Sequence, residues 1–502
     1  MNDDVWDEVP VTSSKTLPPD PRLLETIGLN HRLESALADL VDNSIDASAE
    51  RVLIRFIQRG ARLASLVVVD DGEGMTEEGI DRAMTIGGQR DYARGSLGHF
   101  GIGLKAASLG QASALTVASR RDGVAVGRRW LVAKASDGFE CDVVDPAFAS
   151  ASLDRQWGFV SPETGTIVRL DHVRDFPSSS AASVTERYLD QTMTAVRRHL
   201  GLVFHRLIEA GEVEIGLDVE DVDTGATGPL FIIEPINPFG YMRSGAGAYP
   251  RKLPVDLGSK SLSLEFHIWP GRSQLPEFKL PGHTPESHQG FYFYRNNRLL
   301  QAGGWNGLTN PDRKLQLARI AVDISDDFSD VFTMNPEKTR VQTTPEFARS
   351  VEKASTADGL TFVAYLETAI AAQKEASRRA KTRTPVVPPG KGFASKVRKT
   401  IADELPFVRG EDPVDIRWTD FYDESFFDVD REQRVLWLNK RYRWAVIGDR
   451  DSSLNDAPLV KALLFLLAEN LFHPGHHGPR DKDNIELWNS ILSAAAKAEL
   501  DE

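Results

Sequence analysis

Apolar and polar residues alternate along this chain with two different periods. Over residues 33–47, Leu33, Ala36, Leu37, Leu40, Ser44 and Ala47 fall at helical spacing, and Asp39, Asp42, Asn43 and Asp46 gather across successive turns of the same helix. Residues 51–57 and 63–69 read as strands, the second apolar enough to lie at the centre of a sheet, and residues 114–120 and 166–170 continue it. Farther on, residues 262–269 and 290–295 are strand-like, while the Gly- and Pro-rich residues 235–254 read as loop. Val351, Ala354, Leu360, Val363, Ala364, Leu366 and Ile370 predict one buried helical stripe over residues 346–380, with Asp358-Gly359 as an interruption. Residues 381–392 read as a linker. A hairpin over residues 426–438 and helices near 457–472 and 484–499 follow, with Trp437, Trp444 and Trp488 expected in their core.

A chain of 502 residues exceeds what one core supports. The pattern divides it into a first domain over 1–200, a second over 201–345, a helix and basic linker over 346–392, and a small α+β domain over 393–502. A single cysteine, Cys141, excludes an internal disulfide and a cysteine-cluster zinc site, and fits a reducing, cytoplasmic setting. The acidic N-terminus has no signal-peptide pattern, and the longest apolar runs are too short to span a bilayer. The net charge of −14 argues against a chain that is basic all over, but leaves room for a local basic face. Nine Lys and Arg against one Glu over residues 374–399 supply one, either as a contact for DNA phosphates or as a solvated helix end. His473-Pro474-Gly475-His476-His477 reads as a surface loop.

Three motifs carry chemistry. In the first helix the Asn43 amide oxygen suits Mg²⁺, which keeps water and phosphate oxygens among its ligands. Asp39, one turn earlier, is placed to take a proton from an attacking water. Asp70 ends an apolar strand and can accept from an exocyclic amine, while Gly72 and Gly74 allow a tight turn and close approach of a ligand. The glycine-bearing residues 85–97 are long and polar enough for a lid, and Gly98, Gly101 and Gly103 then lead into a helix whose backbone N–H groups suit phosphates. Lys105 adds a point charge. The Walker A pattern is absent.

In these motifs the chain resembles the GHKL ATPases, the superfamily of gyrase, the heat-shock chaperone, sensor kinases and MutL. The N box is Asp39-Leu40-Val41-Asp42-Asn43-Ser44-Ile45-Asp46-Ala47, the second box Asp70-Asp71-Gly72-Glu73-Gly74-Met75, and the lid box Gly98-His99-Phe100-Gly101-Ile102-Gly103, with Gly165-Thr166 as the Gly-Thr pair. The resemblance implies an α+β Bergerat fold of helices on a mixed sheet, with Asn43 holding Mg²⁺, Asp70 reading the adenine of ATP and Thr166 supporting it. Most relatives that hydrolyse ATP have Glu where this chain has Asp39, so hydrolysis is expected to be slow. Tyr294-Arg295-Asn296-Asn297-Arg298 and Asn335-Pro336-Glu337-Lys338 are similar to elements of the S5-like transducer domains of MutL and MORC proteins. By that likeness Lys338 reaches the γ-phosphate.

The MORC-like branch implies a homodimer that closes on ATP as a clamp on DNA, or on a DNA-processing partner such as a nuclease, helicase or methyltransferase, in genome or antiviral defence. A chaperone-like ATPase acting on proteins and a nucleotide-sensing subunit with little turnover are the alternatives.

Overall fold

The computed structural model describes residue 13 and residues 32–85, 103–135, 140–179, 181–271, 273–280, 284–334, 341–382, 384–448, 453–473 and 479–501. It divides into two compact units. The first holds residues 1–235 together with the turn Asn296–Arg298, and the second holds residues 236–295 and 299–502.

The first unit is built on one mixed sheet. Its strands are β1 (Arg51–Arg59), β2 (Arg62–Asp70), β3 (Ala112–Arg121), β4 (Val124–Leu131), β5 (Asp142–Val143), β6 (Gly165–Val173), β7 (Glu214–Asp221), β8 (Ala226–Thr227) and β9 (Phe231–Ile232). They run in the order β5-β4-β3-β6-β2-β1-β7-β8, with β9 also on β7. Only β1 and β7 pair in parallel; every other neighbour is antiparallel. The continuous apolar run of β2 follows from burial on both faces. Leu66 and Val68 join the core beneath the helices, whereas Val67 and Val69 join a second core with Leu53, Trp157 and Ile167 on the opposite side.

Five helices matter for the site: α1 (Leu33–Asp46), α2 (Glu77–Met84), α3 (Gly103–Gln111), α4 (Pro146–Leu153) and α5 (Ala182–Val203). Helix α1 buries Leu33, Leu37, Leu40 and Val41 in the main core, as its spacing predicts. Asp39 and Asp42 are buried with them, so the acidic stretch is not simply a solvated face. Helix α2 starts on a Thr76 cap whose Oγ1 accepts from Gly79 N at 3.2 Å.

In the second unit, β10 (Arg251–Leu257), β11 (Lys260–Ile268), β12 (Gly290–Arg295), β13 (Arg298–Ala302) and β14 (Ala318–Asp323) form a sheet in the order β10-β11-β14-β12-β13. Strand β10 begins at Arg251 and displaces the last part of the loop expected over 235–254, because Leu253, Val255 and Leu257 alternate inward. Helices α6 (Pro345–Lys353) and α7 (Phe362–Thr382) replace one long helix, broken near Gly359 at φ +82°. Residues 386–392 pack rather than hang free: Val387 is buried and Gly390 N donates to Val414 O at 2.8 Å.

The last part carries α8 (Ser395–Glu404), β17 (Asp415–Thr419), β18 (Phe427–Asp430), β19 (Val435–Asn439), α9 (Pro458–Ala468) and α10 (Pro479–Asp501), after a small β15–β16 pair (Phe332–Met334 and Val341–Thr343). The expected hairpin is β18–β19, antiparallel. Trp488 packs against the core as expected and Trp437 is half-buried, but Trp444 is 58% exposed. It stands on a five-residue helix whose inward side is taken by Ile447.

Candidate functional site: a buried carboxylate between two strands and a helix

Asp70 is the last residue of β2, and register places it opposite Thr166 of β6. Its Oδ1 accepts from Gly72 N and from Thr166 N, each at 3.1 Å, and its Oδ2 accepts from Ser44 Oγ at 2.9 Å. Burial nonetheless pushes its carboxyl up to about 6, because the cost of desolvating the charge exceeds what these three donors return. A buried carboxylate held at three points is a fixed acceptor, suited to one donor on a bound base.

The turn after Asp70 is fitted to the chain around it. Glu73 N donates to Ala47 O at 2.8 Å, and Asp71 Oδ1 accepts from the N–H groups of Glu50 and Arg51, each at 2.9 Å. A Cβ on Gly74, whose φ is +68°, would lie 1.9 Å from Arg120 O. One on Gly165 would lie 2.1 Å from Asp70 O. Both glycines are therefore required by close backbone approach. Ser119 ties the strands together: its Oγ accepts from Met75 N at 2.8 Å and lies 2.9 Å from Thr166 Oγ1. Ser119 and the role of Ser44 escaped the sequence reading. For Ser44 the signal was its place beside Asn43, on the turn that also faces Asp70.

Helix α1 presents Asn43 to solvent, next to Ser44, with its amide available to a ligand. Asp39, one turn earlier, is buried with Asp42, and both meet the same guanidinium. Arg298 Nε donates to Asp42 Oδ1 at 2.6 Å, and Arg298 Nη2 lies 3.6 Å from Asp39 Oδ1. Among the described residues no group of three or more His, Cys, Asp or Glu is arranged to hold a metal ion, so a cation at Asn43 would draw its remaining ligands from phosphate and water.

Gly103 opens α3. Lys105 is buried there, and its Nζ donates to Ala83 O at 2.9 Å and Thr85 O at 2.7 Å. Its ammonium thus holds the C-terminal end of α2, where the last carbonyls attract a cation. Gly98, Gly101 and Lys338 lie outside the described residues, as do His476 and His477, whereas His473 pairs with Glu469 at 3.0 Å.

Residues 31–156 match the family model described as histidine kinase-, DNA gyrase B- and HSP90-like ATPase. The chain is also similar to two proteins named DNA mismatch repair protein MutL. It is 54% identical over 44 residues to that of Dictyoglomus turgidum and 52% identical over 44 residues to that of Dictyoglomus thermophilum. Each likeness covers 9% of this chain and 7% of the relative. No helix among the described residues is long and apolar enough to cross a membrane. Asp70, Ser44 and the N-box helix lie within the matched region, and over residues 31–156 the chain is similar to the GHKL ATPases.

Proposed function

We propose that the chain binds ATP with Mg²⁺ at Asp70 and Asn43 and hydrolyses it slowly with Asp39 as general base. The observation that carries this reading is the buried Asp70 carboxylate, fixed by Ser44, Gly72 and Thr166. A fixed acceptor at the floor of the site accepts from the adenine amine and has nothing to offer the guanine carbonyl at the same place. The exposed Asn43 amide supplies a neutral oxygen for Mg²⁺, and the cation would neutralise phosphate charge. In hydrolysis, water bonds to the γ-phosphorus and passes its proton to Asp39. The bond from that phosphorus to the bridging oxygen breaks, giving ADP and inorganic phosphate.

The reading extends to a homodimer that closes when Lys338 meets the γ-phosphate and acts on DNA or a DNA-processing partner in genome defence. The names of the two MutL relatives support the DNA connection, as do the exposed Lys374, Lys391, Lys396 and Arg398. A nucleotide-sensing subunit with little turnover is the second reading, favoured by the short Asp39 side chain beside a buried arginine.

Calorimetric titration of wild type and Asp70→Asn with ATP and GTP tests the first step. Wild type should prefer ATP, and Asp70→Asn should lose roughly 5- to 150-fold in ATP affinity, the equivalent of about 1–3 kcal/mol for an unmet buried polar group. Equal binding of GTP and ATP by wild type would overturn the assignment.

A further inference from the structure

The N-box helix buries two carboxylates one turn apart, Asp39 and Asp42, each less than 5% exposed. Two such charges in an apolar setting need a nearby cation. Arg298 meets that need and is itself 4% exposed, with its guanidinium carbon 5.9 Å from the Phe204 ring centroid. Its Nε lies 2.6 Å from Asp42 Oδ1, and its Nη2 lies 3.6 Å from Asp39 Oδ1.

The backbone also fixes the arginine. Asn296 and Asn297 have φ +47° and +63°, the left-handed pair that a two-residue hairpin turn requires, and Asn tolerates that conformation best after Gly. Arg298 follows the turn directly and starts β13. A planar fork delivered from so tight a turn has few alternative positions.

We propose that Arg298 is a positioning residue for Asp39: anchored on Asp42, it holds the Asp39 carboxylate in one orientation toward the attacking water. This rests on the reading of Asp39 as general base. On this role the loss of Arg298 should lower turnover while leaving ATP affinity in place. Asp42 becomes the anchor of the arrangement, which explains why a second buried acid stands beside Asn43 where an apolar residue would pack at less cost.

The test measures phosphate release and ATP affinity for wild type, Arg298→Met, Arg298→Lys, Asp39→Asn and Asp39→Asn/Arg298→Met. Arg298→Met should lower kcat by roughly 10- to 100-fold with ATP affinity nearly unchanged, the scale of a misplaced general base. Arg298→Lys should restore part of that loss, and the double variant should match Asp39→Asn alone. Wild-type turnover in Arg298→Met, a parallel loss of affinity and turnover, or a further fall in the Asp39→Asn background would overturn the positioning role. Wild-type turnover in Asp39→Asn, or no turnover in wild type, would instead remove the general base and this role with it. Should Arg298→Met fail to fold because Asp42 is left buried and charged, Asp42→Asn/Arg298→Met removes that charge. Reduced turnover with retained ATP binding in that variant supports the proposal, and unchanged turnover overturns it.

Discussion

Ser44 Oγ donates to Asp70 Oδ2 at 2.9 Å and so fastens the N-box helix to the end of β2. That bond joins the element that would hold the metal to the one that would read the base. The helix and the end of the strand are thereby held at a fixed spacing. Thr166 N on the other carboxylate oxygen closes the frame from β6.

The elevated Asp70 carboxyl gives a pH signature with a definite sign. In the unfolded chain the group ionises near 3.8, whereas in the folded protein it keeps its proton up to about 6. Between those values the folded state binds more protons, so stability falls as pH rises through the window and the penalty is complete above it. Its full size is about 3 kcal/mol at roughly 1.4 kcal/mol per pH unit of displacement. Denaturant titrations of ligand-free protein should show Asp70→Asn gaining on wild type from pH 4 to pH 7. ATP binding should respond in the opposite sense, weakening below pH 6 as the carboxylate becomes protonated. An affinity that stays flat from pH 5 to pH 8 would contradict the role of Asp70.

Gly74 and Gly123 both have positive φ, yet only one is enclosed. A Cβ on Gly74 would collide with Arg120 O, while one on Gly123, at φ +77°, meets nothing within 4 Å. Gly123→Ala should cost about 1 kcal/mol, the strain of a left-handed backbone alone. Gly74→Ala must also displace β3 and should cost about 3 kcal/mol or more, with nucleotide affinity lost. Thermal melts of the two variants compare them directly, and equal losses would mean that the turn relaxes freely.

Sequence periodicity revealed elements whose environment is uniform along their length. Strand β2 was legible because both of its faces are covered, and α1 because one stripe is apolar. The local settings of Asp70 and Asn43 were legible too, one at the end of a strand and the other on the exposed side of a helix. What escaped was the partner brought from afar. Nothing within residues 33–47 announces that Asp39 and Asp42 are buried, since Arg298 lies 256 residues beyond Asp42. Ser119 looks like any strand serine until β6 sets Thr166 beside it. Lys105 has the spacing of a phosphate ligand, but its buried ammonium is taken by the carbonyls of residues 83 and 85.

Arg319 makes a stability prediction for the second unit. It is fully buried on β14, where Nη1 donates to Pro238 O at 2.6 Å and Glu277 O at 2.8 Å, and Nη2 to Phe278 O at 2.7 Å. Trp269, Phe278 and Tyr292 surround the guanidinium. Arg319→Met fills the space but takes the arginine donor from the buried Glu277 and Phe278 carbonyls, while Pro238 O keeps Trp269 Nε1 at 2.8 Å, a loss of about 3–5 kcal/mol. Arg319→Lys should also destabilise, since one ammonium cannot reproduce the planar fork. Chemical denaturation reads both, and a midpoint unchanged in Arg319→Met would show that the carbonyls find other donors.

Asn43 and Asp39 stand one turn apart on α1 and should fail in different ways. Asn43→Ala removes the only oxygen that residue offers a cation, so Mg²⁺-dependent tightening of ATP binding should disappear while metal-free binding through Asp70 persists. Asp39→Asn keeps the shape of the buried side chain but cannot take a proton, so ATP should bind and turnover should stop. Titrations with ATP in Mg²⁺ and in chelator, paired with phosphate release, separate the two effects. Buried Asp39 also makes a further distinction possible. Asp39→Glu adds a methylene, which lengthens the reach of the carboxylate but crowds the Arg298 guanidinium 3.6 Å away. If reach limits the rate, Asp39→Glu should hydrolyse ATP faster than wild type. If the arginine contact limits it, the longer side chain should hydrolyse more slowly although it is the residue most relatives carry.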